Sequence, residues 1–179
     1  MDVFARPSRG ALLAALSLGL VAALPLAASA GTASGTASVS ATVANNCVFG
    51  TNSVAFGNYD AVSANKTGAL TANGTVNITC TQGDAYAISA DAGANGAHAA
   101  SGFTRAMSYT SGGGSPTTYY LSYELYTDSG LTTVWNDTNT LGGTGSGASQ
   151  AITFYGAVGA GQSAPAAAYS DTVNLNVTF

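Results

Sequence analysis

Charge is scarce in this chain. Charged residues make up 7% of it, with four basic residues against eight acidic ones and a single histidine. So little positive charge cannot neutralise a phosphate backbone, which makes nucleic acid and anionic membrane poor partners. The one histidine, His98, is the only residue a Ser-His-Asp arrangement could use. It sits in a loop-like run, Ala94-Asn95-Gly96-Ala97-His98-Ala99-Ala100, and no G-x-S-x-G elbow accompanies it. Two cysteines and that distant histidine do not make a zinc site. The acids Asp91, Asp128, Asp137 and Asp171 lack calcium-loop spacing. The glycine-rich run at residues 142–147 has neither the lysine nor the following helix of a phosphate loop, and reads as a flexible hairpin loop. The expectation is no catalytic residue, no metal and no cofactor, hence not an enzyme.

The long apolar run lies at the N-terminus. Arg6 and Arg9 precede an apolar stretch over residues 11–26, and Ala28-Ser29-Ala30 supplies small residues for cleavage. This is the pattern of a secretory signal over residues 1–30, too short and too Pro-broken to remain as a span. Removing it leaves 149 residues, one domain's worth, with seven acidic residues against Lys66 and Arg105. In an exported chain the default for Cys47 and Cys80 is one disulfide. Closing a loop of that length stabilises by about 3–4 kcal/mol on chain-entropy grounds.

The exported part consists of short alternating runs divided by turn residues. Val76, Ile78 and Cys80 share one face; so do Tyr86, Ile88 and Ala90; so do Leu121, Tyr123 and Leu125. Residues 103–109, 133–135, 152–158 and 173–179 complete the set, and no helical period appears outside the signal. Many short strands at this spacing predict an all-β sandwich.

The two ends of the exported part are unusual. Val173, Leu175, Val177 and Phe179 alternate with polar residues up to the last position, which predicts a closing strand with nothing after it to cover its open side. Near the other end, Ala37, Val39, Ala41 and Val43 alternate within a leader of small residues over 31–44. A sandwich one strand short would expose an apolar groove, and the leader of another copy is the expected filler. Two buried valines give about 3–6 kcal/mol and two alanines about 1–2, against about 1–2 kcal/mol per residue for ordering the leader. Tight joining therefore requires an acceptor that is poorly folded when its groove is empty.

Several segments in order resemble the spore coat protein U domain family, which includes subunits of archaic chaperone–usher pili. They are Leu121-Ser122-Tyr123-Glu124-Leu125-Tyr126-Thr127-Asp128, then Trp135, then Phe154-Tyr155-Gly156. Gly161-Gln162-Ser163-Ala164-Pro165 and Tyr169-Ser170-Asp171-Thr172-Val173 come next, ahead of the closing strand. The resemblance covers essentially the whole exported chain. It implies an incomplete immunoglobulin-like β-sandwich over residues 45–179, completed by a donor strand from a neighbouring subunit. It implies a periplasmic chaperone and an outer-membrane usher as partners, with other copies or related subunits, and a place on a surface filament that supports adhesion or biofilm formation. Carried over by position, Ala37, Val39, Ala41 and Val43 would be the donor residues, and Val173, Leu175, Val177 and Phe179 the edge that pairs with chaperone and donor. At this length no second, adhesive domain is expected.

Two other readings stand beside this one. The same domain could serve a secreted coat. Alternatively, Tyr119, Tyr120, Tyr123, Tyr126 and Trp135 could form a sugar platform on a monomeric sandwich, although aromatics on alternating strands commonly build the core.

Overall fold

A computed structural model describes residues 29–179, so the export signal expected at residues 1–30 lies outside the described residues apart from its last two positions. The chain divides into two units, Met1–Ser40 and Ala41–Phe179. In the first, residues 29–40 carry no helix or strand and are exposed.

The second unit shows how pattern becomes strand. In β2 (Leu70–Cys80), Val76, Ile78 and Cys80 are buried while Thr75, Asn77 and Thr79 between them are half-buried. The β-branched residues suit the pleated, half-covered surface, and every second side chain points to the same side. β3 (Ala85–Ala90) buries Tyr86, Ile88 and Ala90 in the same rhythm. The other strands are β1 (Cys47–Phe49), β4 (Arg105–Thr110), β5 (Thr118–Tyr126), β6 (Leu141–Thr144), β7 (Ser149–Val158) and β8 (Leu175–Thr178). A single 3-10 turn, Gly96–His98, is the only helical element among the described residues.

These strands form two antiparallel sheets, β1-β2-β7-β5-β4 and β6-β3-β8, the all-β sandwich that the alternation predicts and of the immunoglobulin-like kind that the resemblance implies. The longest ladder joins β2 to β7 from Leu70 opposite Val158 to Thr79 opposite Ser149. Trp135 lies between the sheets, fully buried, with its Nε1 donating to the Ile88 carbonyl at 2.8 Å and its ring 5.1 Å from that of Phe154. The sugar-platform reading needs this side chain at the surface, and the fold places it in the core instead. Tyr123 is buried as well, whereas Tyr119 keeps 36% of its surface exposed.

Cys47 and Cys80 are bonded to each other. They stand directly opposite in the β1–β2 ladder, with their Cα atoms 4.1 Å apart. One buried ion pair lies within the five-stranded sheet, and its arginine reaches across to the other sheet. The Arg105 guanidinium meets the Glu124 carboxylate, and its remaining N–H groups donate to the carbonyls of Asp91 (2.8 Å), Ala90 (3.1 Å) and Trp135 (2.7 Å). Thr104 adds a main-chain N–H and a hydroxyl to the same carboxylate. A charge pair out of water is tolerable only when its remaining donors and acceptors are satisfied in this way.

Three expectations need correction. Residues 142–147, read as a flexible loop, include part of β6, whose Gly142 and Gly143 pair with Ala87 and Tyr86. Ladder bonds are made by the main chain, and glycine lets the backbone approach the Tyr86 ring, whose hydroxyl occupies the place a Cβ at Gly143 would take. Residues 133–135 form only a single bridge, Val134 to Tyr126. The closing strand is shorter than residues 173–179, since Val173 precedes β8 and Phe179 comes after it.

Candidate functional site: a groove beside an edge strand

β8 is the outermost strand of its sheet. It pairs with β3 on one side, from Leu175 opposite Ala90 to Thr178 opposite Ala87. Among the described residues nothing pairs with its other side. Each unpaired main-chain N–H and C=O along such an edge is a ready position for a further strand. Leu175 and Val177 direct their side chains to the core but are only half-buried, while Asn176 and Thr178 are exposed.

The approach to β8 is held at three places. Ser170 and Ser108 exchange main-chain hydrogen bonds of 2.9 and 3.1 Å, tying the segment to β4. Asp171 accepts from the Tyr123 hydroxyl at 2.8 Å and from Asn95 Nδ2 at 3.0 Å. Asp91 accepts from the Asn174 main-chain N–H at 2.9 Å and from its side-chain amide at 2.6 Å. Burial pushes the Tyr123 phenol far above its ordinary value, and the hydrogen bond to the Asp171 carboxylate adds to the shift. Tyr123 therefore stays a neutral donor throughout the physiological range.

The opposite wall is the continuation of β1. Gly50 donates to the Asn77 carbonyl at 2.8 Å, the Asn52 side chain accepts the Asn77 N–H at 2.8 Å, and Thr75 donates to the Ser53 carbonyl at 3.3 Å. Beyond Ser53 the chain leaves β2, and packing takes over. Phe56 lies edge-on to Tyr123 with ring centroids 5.8 Å apart. Further along, the Tyr59 hydroxyl donates to the Gly159 carbonyl at 2.7 Å and accepts the Gln162 N–H at 2.8 Å.

Between the walls lies a cavity of about 340 Å³. Val54 and Phe56 stand on one side and Val173 and Leu175 on the other, over a floor of Tyr123, Leu125, Trp135 and Phe154. A second cavity of about 860 Å³ shares Val54, Phe56, Met107 and Tyr169 with the first and continues between residues 54–62 and 164–169. The two make one elongated groove, apolar where it runs over Trp135 and Phe154 and more polar toward Asn58 and Asp60. It has the shape and chemistry for an extended segment with small or medium apolar side chains on one face. No group of three or more metal-ligating side chains comes together among the described residues.

Of the residues singled out in the sequence, Val173 and Leu175 line the groove, and Val177 packs against the core opposite Ile88. Phe179 is 52% exposed beyond the end of β8. In the leader, Val39 and Val43 are 93% and 81% exposed, and Ala37 and Ala41 are exposed beside them. His98 is exposed and stacks on Tyr120 at 4.2 Å. The facing wall, Asn52 to Phe56, is not foreseen from the sequence. Its signal is the pair of apolar residues Val54 and Phe56 alternating with Ser53 and Ala55, a run too short to read as a strand.

The Spore Coat Protein U domain family matches residues 33–176. Protein U of Myxococcus xanthus is 33% identical over 160 residues, covering 85% of this chain and 88% of that protein. Among solved structures, a similar fold occurs in the complex of the CsuC chaperone with the CsuE tip adhesion subunit, from archaic chaperone–usher Csu pili of Acinetobacter baumannii. The TM-score is 0.52 at 22% identity, over 77% of this chain and 40% of the matched one. At that identity the likeness bears on the fold, and this chain spans well under half of the matched chain's length.

Proposed function

This chain belongs to the Spore Coat Protein U domain family, and we propose on that basis that it is a structural subunit of a surface filament assembled by the chaperone–usher route. The single observation that carries the proposal is the unpaired edge of β8 beside an apolar groove. A periplasmic chaperone lends a strand to that edge during export, an outer-membrane usher passes the subunit outward, and the leader of another copy then takes the chaperone's place. Residues 31–44 act as the donor extension, with Ala37, Val39, Ala41 and Val43 facing the groove. Residues 45–179 are the acceptor, and Val173, Leu175, Val177 and Phe179 form its pairing edge. The filament supports adhesion or biofilm formation. The subunit itself is not an enzyme. The reading gains support from the similar solved fold, which comes from a chaperone–subunit complex.

Energetics favour a coupled process. Filling the groove buries apolar side chains, and each new ladder bond adds about 0.5–1.5 kcal/mol. The strand also covers an edge that would otherwise recruit any exposed strand.

The test is thermal unfolding of a chain lacking residues 31–44, with and without a peptide covering residues 33–43. A saturable rise in midpoint is expected, corresponding to about 2.7 kcal/mol of stabilisation at a hundredfold excess over Kd. Val39→Asp in the peptide should abolish it. A leaderless chain that is already stable and ignores the peptide would sink the proposal. A secreted coat component is the second reading, and the family's name as a spore coat domain favours keeping it. It uses the same groove, and the absence of a chaperone-bound intermediate during export would mark it.

A further inference from the structure

β4 and β5 overrun the rest of their sheet. Tyr123 stands opposite Val158, the last residue of β7, so residues 118–122 of β5 and their β4 partners continue past the end of β7. On the inner face of this overhang, Tyr109 and Tyr119 stack with ring centroids 6.4 Å apart, and Tyr169 packs against Tyr109 at 5.8 Å. Tyr169 also lines both parts of the groove. The three rings therefore form a ledge at one mouth of the groove, the mouth where the approach to β8 is tied to β4 through Ser170 and Ser108.

We infer that this tyrosine ledge is a second contact between copies, seating the body of the subunit whose leader fills the groove. The inference rests on the donor-strand reading and adds a direction to it. Every strand pair in both sheets is antiparallel. Parallel pairing is slightly less stable per residue, so a strand added to β8 runs antiparallel to it. Such a strand finishes beside the start of β8, at the ledge. The donor's leader ends at Ala44, and Cys47 of the same copy is already fixed to β2 by the disulfide. Three Cα steps of roughly 3.3–3.6 Å span about 10 Å. The donor's body therefore begins within that distance of the ledge. Tyrosine suits the role, because its ring supplies rigid amphipathic area at low entropic cost.

The experiment places a photo-crosslinking benzoylphenylalanine at Tyr119, or separately at Phe179, in filaments of the full chain. The expected result is cross-linking from position 119 to the start of β1 in a neighbouring copy, and from position 179 only to the front of that copy's leader. Cross-linking from 179 to the start of β1 would mean that the donor runs parallel to β8, and would overturn the inference. Filaments in which neither position reaches the start of β1 would overturn it too, leaving donor-strand joining intact. The same Tyr119 variant without its leader should keep its response to the leader peptide, which shows that the acceptor is folded. Loss of that response in the unmodified leaderless chain would remove both readings together.

Discussion

The ring of Phe56 rests on the bare backbone of Gly156. A Cβ at Gly156 would stand 2.7 Å from the ring's Cζ and 3.3 Å from Leu125 Cδ2. This contact joins residues about a hundred positions apart in the chain and fixes the groove's first wall where its ladder to β2 has ended. Gly156→Ala should displace Phe56 and destabilise by about 1–3 kcal/mol, as overpacking does. Urea unfolding checks it, with Gly112→Ala as the control, since a Cβ there meets nothing within 4 Å. Equal stability of the two variants would show that Phe56 does not depend on the missing side chain.

The Arg105–Glu124 pair should behave as a unit. Arg105→Met leaves the Glu124 carboxylate buried without its cation and the carbonyls of Ala90 and Trp135 without a donor, at a cost of about 3–5 kcal/mol. Arg105→Lys should recover little of this, because a single ammonium cannot reach the four groups that the planar guanidinium serves. A lysine variant as stable as the wild type would refute the geometric argument.

These two features mark where the sequence stops being readable. β2 and β3 are legible because their buried faces keep a period of two, and β5 because Leu121, Tyr123 and Leu125 alternate with polar residues, although the fold buries Ser122 and Glu124 as well. β6 is hidden by its glycines, and β1 by its length. The wall at Val54 and Phe56 is placed by Gly156, which no local pattern reveals. Arg105 sits in a weak alternating run where a charged residue suggests solvent. Its burial depends on acceptors at Ala90, Asp91 and Trp135, which only the fold brings together. The open edge of β8 is the opposite case, because Val173, Leu175, Val177 and Phe179 alternate without interruption.

Acid should loosen the root of β8. Burial alone would raise the Asp91 carboxyl, but hydrogen bonds from the Asn174 side chain and from the Gly93 and Asn174 main chains outweigh it. The Arg105 charge adds to them, and the pKa falls below its ordinary value of 3.8. A depressed folded pKa contributes stability that is present above the unfolded value and is lost as pH falls through the folded one. Hydrogen exchange at Leu175 and Val177 should therefore accelerate below about pH 4 in the wild type. Asp91→Asn should exchange faster at neutral pH and lose that dependence. A variant with the wild-type profile would exclude Asp91 as the anchor.

Reduction should act on the first wall. Replacing Cys47 and Cys80 with alanine frees the unfolded chain of a 33-residue closure, and about 3–4 kcal/mol of stability should be lost. The loss should be accompanied by weaker peptide binding, because β1 carries the wall that faces β8. Unchanged peptide affinity in a chain stable enough to measure would separate the disulfide from the groove.

If the leader is the donor strand, its small side chains should decide how tightly copies join. Ala37 and Ala41 fall on the same face as Val39 and Val43, and the groove offers about 340 Å³ beside Trp135 and Phe154, continuing into about 860 Å³. Alanines leave such a volume underfilled. Ala41→Val in the leader peptide adds two methyl-sized groups, each contributing about 0.8 kcal/mol when buried. Since about 1.4 kcal/mol is tenfold in Kd, the variant peptide should bind the leaderless chain about tenfold more tightly. Titration calorimetry gives the number directly. Tighter binding would mean that the natural leader trades affinity for the ability to enter a groove another strand still occupies. Weaker binding would mean that the floor is shaped to alanine at that position, and that Val39 and Val43 alone set the register.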